Sequence, residues 1–356
     1  MKAADEFVVF KAEYKRALYH KRLFILTCLT ISCVAFILAL SVGLASIGFW
    51  ESYDAFIRHL TDNVNDTHID FIIWELRVPE ASMAVIAGAT LAVGGAIMQT
   101  SLRNPLADPY TMGVSSGALF GAALAIIFTV SIIPGLTEQN AIIGNAFVLS
   151  LVPTFAITIV SMRQSVTPAK LLLVGIAVMY VFSSITSLLM ITSEAESLQE
   201  VYTWNVGTLA GVSFEQLTMP FIFFVIGFVF LMLQYRNFNI LIAGPTNAKT
   251  MGVNAKFTIV AGMVVVSLMT ASVVSVTGTL GFIGLVAPNI ARFFVGSETK
   301  YLLPSSAAFG AMFLLIANSV ARVCTQFGLP VGVICSIVGG PMFVAIILIQ
   351  RKKAWL

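Results

Sequence analysis

Charged side chains are scarce in this chain. Asp, Glu, Lys and Arg make up 10% of its 356 residues, whereas 58% of the residues are hydrophobic and the mean hydropathy is +0.94. Ordinary soluble domains carry about 25% charged residues. The shortage excludes a soluble globular protein and indicates a chain that lies in a lipid bilayer. The small net charge of +3 gives no indication of nucleic acid as a partner.

Common catalytic and binding motifs are also missing. The four cysteines form no Cys-x-x-Cys pair, and the three histidines belong to no His-Glu-x-x-His motif. No Gly-x-x-x-x-Gly-Lys-Ser/Thr loop occurs, so we do not expect the chain to hold ATP itself. The sequence therefore predicts no enzyme activity, no cofactor and no metal site.

Ten apolar runs account for most of the chain, and a membrane helix needs about 20 residues. The runs lie at residues 23–48, 81–101, 111–133, 142–162, 171–192, 216–233, 258–279, 281–296, 303–321 and 331–350. The eighth run is the shortest and contains Pro288. We predict an all-α polytopic membrane protein with about ten transmembrane helices and both termini on the same side.

The distribution of charge orients these helices. With the N-terminus in the cytoplasm, 17 of the 20 basic residues fall inside, as the positive-inside rule requires, whereas 12 of the 17 acidic residues fall outside. We therefore expect a cytoplasmic segment 1–22, one transmembrane domain 23–350 and a cytoplasmic tail 351–356. The basic N-terminal stretch either lies on the membrane surface or forms a solvated tail.

The stretch from Arg103 to Gly121 joins the second and third runs. Two prolines stiffen its first part, which is too short to hold a domain. Gly113, Gly117 and Gly121 then recur every four residues, a spacing that places them on one helix face for close packing with another helix. We predict a tight cytoplasmic connection between two neighbouring membrane helices.

The predicted spans contain almost no ionisable residues, apart from Arg292 near the inner end of the eighth run. An ion-coupled carrier generally needs a carboxylate or histidine within the membrane. The pattern favours a pathway protein that takes its energy from a partner. Gln99, near the inner end of the second span, either bonds across helices or faces a cavity.

Two connections are longer than turns. The outer one, residues 51–80, is expected to contain short interfacial helices. The inner one, residues 234–257, contains a Gly244-Pro245 break, after which Thr246 is a candidate cap for a helix of about six residues that ends at Gly252.

Two arginines, Arg77 and Arg322, stand apart on the predicted outer face. Snorkelling to the interface and docking of a partner's carboxylates are both open as explanations.

Four segments resemble those of a known family in order and spacing. They read WELRVPE, GATLAVGGAIMQTSLRNPLADPYTMGVSSGA, GTLGFIGLVAPNIARFFVG and LPVGVICSIVGGP. The chain resembles the FecCD-type permeases, the membrane subunits of ATP-driven importers for ferric siderophores, haem and vitamin B12. The resemblance implies a type II importer fold in the prokaryotic cytoplasmic membrane. It also implies a second permease subunit, identical or homologous, two cytoplasmic ABC ATPases and an extracytoplasmic substrate-binding protein.

The resemblance also assigns roles to residues by position. Arg77, Glu80 and Arg322 would lie at the docking site for the binding protein, and Thr167, Pro168 and Ala169 at a cytoplasmic gate. The segment that couples to the ATPase lies within about residues 244–253. It would comprise Pro245, Thr246, Asn247, Ala248, Lys249, Thr250, Met251 and Gly252.

Three positions depart from the family pattern. Glu80 stands where a second arginine is frequent, so that one docking contact is lost or reversed, with Arg58 as a candidate to compensate. Pro245-Thr246-Asn247 replaces acidic residues of the coupling segment, and Asn289 replaces a frequent histidine. A stand-alone secondary carrier or channel is the alternative, and a structural or signalling subunit is a third possibility.

Overall fold

The computed structural model describes residues 2–43, 47–163, 167–324 and 329–350, and the predicted tail 351–356 lies outside them. Over these ranges the chain forms helices and no strand. The α-helices are α1 (Lys2–Ser41), α2 (Phe49–Leu60), α3 (Thr67–Asp70), α4 (Val78–Leu102), α5 (Val114–Phe128), α6 (Glu138–Ser150), α7 (Val152–Arg163), α8 (Pro168–Thr192), α9 (Ala195–Val206), α10 (Phe214–Leu233), α11 (Tyr235–Ile242), α12 (Pro245–Thr250), α13 (Ala255–Thr277), α14 (Ile283–Val295), α15 (Thr299–Val323) and α16 (Val331–Gln350). A π-helix, Phe71–Arg77, joins α3 to α4, and a short 3-10 helix, Tyr110–Met112, precedes α5.

Ten helical segments correspond to the ten apolar runs. Seven of them have the length and composition to cross a membrane, and three shorter apolar helices, α5, α14 and α16, complete the set within the described residues. The longer segments are α1, α3 with α4, α6 with α7, α8, α10, α13 and α15. The prediction of an all-α membrane protein with about ten membrane helices is confirmed.

Helix α4 is the centre of the bundle. It packs against α13, α14 and α15, and most of its side chains are buried. Its small residues allow this contact, because a side chain at Gly88 would overlap the backbone of Gly310 and one at Gly95 would overlap the backbone of Gly284. The glycines thus set the distance between α4 and two of its neighbours.

Helices α8 and α10 lie at the periphery. Only 17% of the apolar stretch of each is buried in the chain, and large side chains such as Leu188, Ile191 and Ile226 are exposed. Apolar exposure of this kind suits a helix that meets lipid or another membrane subunit.

The N-terminal stretch is helical and continuous with α1, and its location on the membrane surface or as a solvated tail stays a prediction. The connections differ from the sequence prediction in two places. The outer helix α2 was expected, whereas α9 was not. The inner connection contains two helices, α11 and α12, and α12 begins at Pro245 after Gly244, whose φ is +104°, so Thr246 is not its cap.

Candidate transport pathway and contact sites

A break between α13 and α14 lies at the candidate pathway. Gly278 and Phe282, at the two ends of the break, both have φ +68°, a conformation that is rare for phenylalanine. Helix α14 has 13 residues, about 20 Å at 1.5 Å per residue, whereas the hydrocarbon core of a bilayer is about 30 Å thick. The link 278–282 therefore needs polar partners for its backbone inside the protein.

Two other parts of the chain supply these partners. The Tyr110 hydroxyl accepts a hydrogen bond from the backbone N–H of Leu280 at 3.1 Å. The Thr279 hydroxyl donates to the carbonyl of Asn205, at the end of α9. Gly207 permits this approach, since it has φ +79° and a side chain there would overlap the Thr279 carbonyl. The break is thus held by α9 and by the connection before α5.

A cavity of about 600 Å³ borders the break. Its polar lining residues are Tyr110, Ser115, Ser116, Ser183, Asn205, Thr279 and Ser336. Apolar side chains such as Leu119 and Met179 complete its walls, and none of its described lining residues carries a formal charge. The cavity offers hydroxyl and amide groups without a fixed charge. Sequence reasoning missed these residues, although the Ser115-Ser116 pair lies in a motif that carries the family resemblance.

A polar network joins α4 and α14 towards the predicted inner side. The Arg292 guanidinium donates to the Gln99 side chain at 3.1 Å, and the Gln99 amide points to the carbonyl of Gly284 at 3.4 Å. The Asn289 amide donates to the carbonyl of Pro105 at 3.3 Å. Of the two uses left open for Gln99, the structure therefore shows bonding across helices. Asn289, whose position departs from the family pattern, ties α14 to the connection between α4 and α5.

That connection folds around a buried carboxylate. The backbone N–H of Tyr110 donates to Asp108 at 2.6 Å, and the Thr111 hydroxyl donates to the Asp108 carbonyl at 2.7 Å. Burial raises the pKa of Asp108 to about 6. The side chain lies so close to Gly284 that a larger residue at position 284 would overlap it. The connection is therefore packed into the bundle and is not a free surface loop.

The three glycines that follow have different roles. A side chain at Gly117 or Gly121 would overlap the α6 carbonyl of Leu149 or Asn145, respectively. Gly113 precedes α5 and has φ +89°, so it is not part of the helix face that the spacing predicted. A left-handed backbone favours glycine at this position, whereas close helix contact requires it at the other two.

The outer arginines make internal contacts. Nε of Arg322 donates to Glu80 at 2.8 Å, and Nη2 lies 2.6 Å from the second carboxylate oxygen. The Asn318 amide donates to the same carboxylate at 2.9 Å. Arg77 is 4% exposed and donates to the carbonyl of Leu40 at 2.7 Å. The expectation of two isolated surface arginines was wrong, because Glu80 of α4 neutralises Arg322 and Arg77 is buried against the Leu40 carbonyl. Their docking role stays a prediction.

The predicted coupling segment forms a compact helical turn. Ala248 is fully buried and accepts a backbone hydrogen bond from Val253 at 2.9 Å, while Gly252 has φ +77°. Met251 is 63% exposed. The other exposed side chains of the segment are Asn247, Lys249 and Thr250. The segment is thus anchored through Ala248 and presents its remaining described side chains to the surroundings.

The predicted gate lies beside this segment. Thr167 caps α8, which begins at Pro168, and its carbonyl accepts from the N–H of Lys170 at 3.0 Å. Ala169 is exposed. Thr167 and Lys249 line one cavity, so the structure brings together two segments that the sequence could only place on the same side of the membrane.

The sequence model of a known protein family matches the part of the chain that holds these features. The model of the FecCD transport family matches residues 30–349, a stretch that contains the break, the buried connection and the predicted coupling segment. The chain belongs to the FecCD transport family. As a FecCD protein it is a membrane permease subunit of an ABC importer, and its many apolar helices place it in the prokaryotic cytoplasmic membrane.

Two similar FecCD proteins are named for the import of different compounds. The iron(3+)-hydroxamate import system permease protein FhuB of Bacillus subtilis is 33% identical over 91% of this chain and 82% of its own length. The cobalamin import system permease protein BtuC of Halobacterium salinarum is 36% identical over 80% of this chain and 75% of its own length.

A solved structure shares the FecCD fold. It shows an inward-facing conformation of a metal-chelate type ABC transporter and matches with a TM-score of 0.79 and 25% identity, over 91% of this chain and 98% of that one.

Proposed function

We propose that this FecCD permease imports an intact iron chelate of the ferric siderophore type. The uncharged, hydroxyl-lined cavity beside the α13–α14 break carries the proposal. Hydroxyl groups can bond to the polar periphery of a chelate, whereas the described lining holds no carboxylate, imidazole or thiol that would compete for the metal. The hydroxamate relative supports an iron chelate as cargo, and the relatives named for hemin transport and cobalamin import give the alternative cargoes.

A second permease subunit, identical or homologous, completes the proposed pathway. Helix α8 exposes Ser183, Ser184 and Ser187 among mostly apolar side chains, and Ser183 lines the cavity. Exposed hydroxyls suit a protein neighbour or a pathway better than they suit lipid. The partner's matching surface would cover α8 and close the cavity laterally.

Energy and cargo come from separate subunits in this proposal. Two cytoplasmic ABC ATPases hydrolyse ATP, and an extracytoplasmic binding protein delivers the chelate. Closure of the two ATPases moves residues 245–252, which pack against α11 and α13. The movement passes to the gate at residues 167–169 and switches the access of the cavity between the two sides.

Reconstituted transport tests the proposed function. The chain is placed in liposomes with its ATPase and binding protein, and uptake of a radiolabelled ferric hydroxamate is measured with ATP and with a non-hydrolysable analogue. We expect uptake only with ATP and with all subunits present. Uptake by this chain alone, insensitive to ATP, would show a secondary carrier or channel instead.

Substitution of Met251 tests the coupling segment. Met251→Glu places a charge on an exposed apolar side chain, and we expect about thirtyfold weaker ATPase association, since burial of such a side chain contributes roughly 2 kcal/mol. Leu60→Glu is the matched control, because Leu60 is 61% exposed on the outer helix α2. Equal ATPase affinity of the two variants would remove Met251 from the contact.

A further inference from the structure

Six helices surround a second cavity of about 800 Å³ on the predicted inner side, to which the proposed transport cycle assigns no ligand. Helices α4, α7, α8, α11 and α13 each contribute to its walls, as does α12 through Lys249. Arg103, Lys249 and Lys256 line it, and no described lining residue is acidic. The cavity is therefore positively charged.

Hydrogen-bond donors in this cavity lack acceptors. Ser101 is 2% exposed, and its hydroxyl has no hydrogen-bond partner in the described chain, whereas the neighbouring Thr100 hydroxyl donates to the carbonyl of Ala96 at 2.8 Å. Lys256 makes one bond, to the carbonyl of Met162 at 3.1 Å, which leaves two ammonium protons. A buried donor without a partner costs about 1–3 kcal/mol, and this cost applies to Ser101, since Lys256 is exposed and can donate to water. An anionic ligand would accept from the Ser101 hydroxyl and pair with the Lys256 ammonium.

The cavity also has an apolar lining. Leu171, Leu241 and Ile259 form an apolar wall in the cavity that the three basic residues line. A hydrated inorganic anion gains nothing from such a wall, whereas an amphiphilic anion places its charged group on the cations and its hydrocarbon on the leucines. The basic residues also belong to the predicted cytoplasmic side, where bacterial and other cell membranes carry acidic lipids.

We propose that this cavity binds the phosphate headgroup of an acidic phospholipid from the inner leaflet. The phosphate lies at Arg103, Lys256 and the Ser101 hydroxyl, and the start of an acyl chain lies against Leu171 and Ile259. The lipid would join α4 and α13 to the predicted gate and coupling segment. The proposal is independent of the cargo and of the direction of transport.

Lipid titration of the purified full chain tests the proposal. Native mass spectrometry gives the apparent affinities for phosphatidylglycerol and phosphatidylcholine. We expect Arg103→Gln with Lys256→Gln to weaken phosphatidylglycerol binding roughly thirtyfold, because each basic residue near an acidic headgroup contributes a factor of about five. Lys249 stays unchanged because it belongs to the predicted ATPase contact. Ser101→Ala is expected to cost about fivefold.

Arg236→Gln with Lys300→Gln is the matched control, since both residues are exposed, lie on the predicted inner face and are outside the cavity. Equal loss in the two double variants, or equal affinity of the native chain for both lipids, would overturn the proposal. So would displacement of the lipid by millimolar inorganic phosphate, which would indicate a free-anion site.

An ATPase titration separates the lipid from a protein partner. If Arg103→Gln with Lys256→Gln weakens ATPase association and leaves lipid binding unchanged, the cavity is a subunit contact and the lipid proposal is wrong. A melting curve checks folding of each variant. If the double variant does not fold, the two single substitutions are titrated, and each is expected to lose about fivefold.

Discussion

Replacement of Glu80 by glutamine is expected to lower the free energy of unfolding by about 3–5 kcal/mol, because it leaves a buried guanidinium without its counter-charge. Glu80 meets Arg322 through both carboxylate oxygens, and the two side chains are only 11% and 12% exposed. Arg322 also donates to the carbonyls of Ala39 and Val42, at 2.9 and 3.2 Å. One ion pair thus joins the outer ends of α1, α4 and α15.

A double-mutant cycle measures this pair. Glu80→Gln, Arg322→Gln and the combined variant are compared by chemical unfolding in detergent micelles. We expect the double variant to lose less than the sum of the single losses, since it leaves no unpaired charge.

An exposed ion pair of similar length is the control for this cycle. Lys21 and Glu298 lie 3.0 Å apart with side chains 21% and 42% exposed, and the loss of such a pair costs about 0–1 kcal/mol. If Glu80→Gln lowers the free energy of unfolding no more than Glu298→Gln does, the buried pair has no stabilising role.

The same variants test the predicted docking site. If Arg322 meets a carboxylate of the binding protein, Glu80→Gln frees the guanidinium and strengthens association at low salt, whereas Arg322→Gln weakens it. Arg77→Glu is also expected to weaken association if Arg77 takes part. Unchanged affinity of folded Glu80→Gln and Arg322→Gln proteins would assign Arg322 to internal pairing alone.

The membrane helices could be predicted because a bilayer imposes simple rules. A span needs a long apolar run, and basic loops stay inside, so both features appear as local patterns in the sequence. The helix α12 was also predictable, since Gly244-Pro245 and Gly252 mark its ends within nine residues. Its starting residue was not, because proline at the first helical turn needs no cap from the next side chain.

Contacts between distant helices could not be predicted in this way. Glu80 and Arg322 are 242 positions apart, so the sequence shows two charges on one side of the membrane and no sign that they meet. The hydroxyl-lined cavity could not be predicted for the same reason, because Ser116, Ser183 and Ser336 lie on three separate helices. Only the packing of these helices makes the serines neighbours.

Replacement of Gly95 by alanine is expected to destabilise the fold by about 3 kcal/mol, since the new methyl group would overlap the backbone of Gly284. Backbone atoms cannot move aside as the end of a flexible side chain can. The clash would separate α4 from α14 and disturb the Gln99 contact with Gly284 in the same interface. Thermal unfolding of the purified variant and its yield from the membrane measure the effect.

Gly340→Ala is the matched control for this substitution. Gly340 also lies inside a membrane helix, α16, but the nearest atoms to an added methyl group belong to the Phe282 ring, 3.9 Å away, which is an ordinary contact. Alanine favours a helix over glycine by about 1 kcal/mol, so Gly340→Ala should be neutral or slightly stabilising. The same chemical change is therefore expected to destabilise the protein at position 95 and not at position 340. Equal melting temperatures of the two variants would show that α4 and α14 do not depend on the close contact at Gly95.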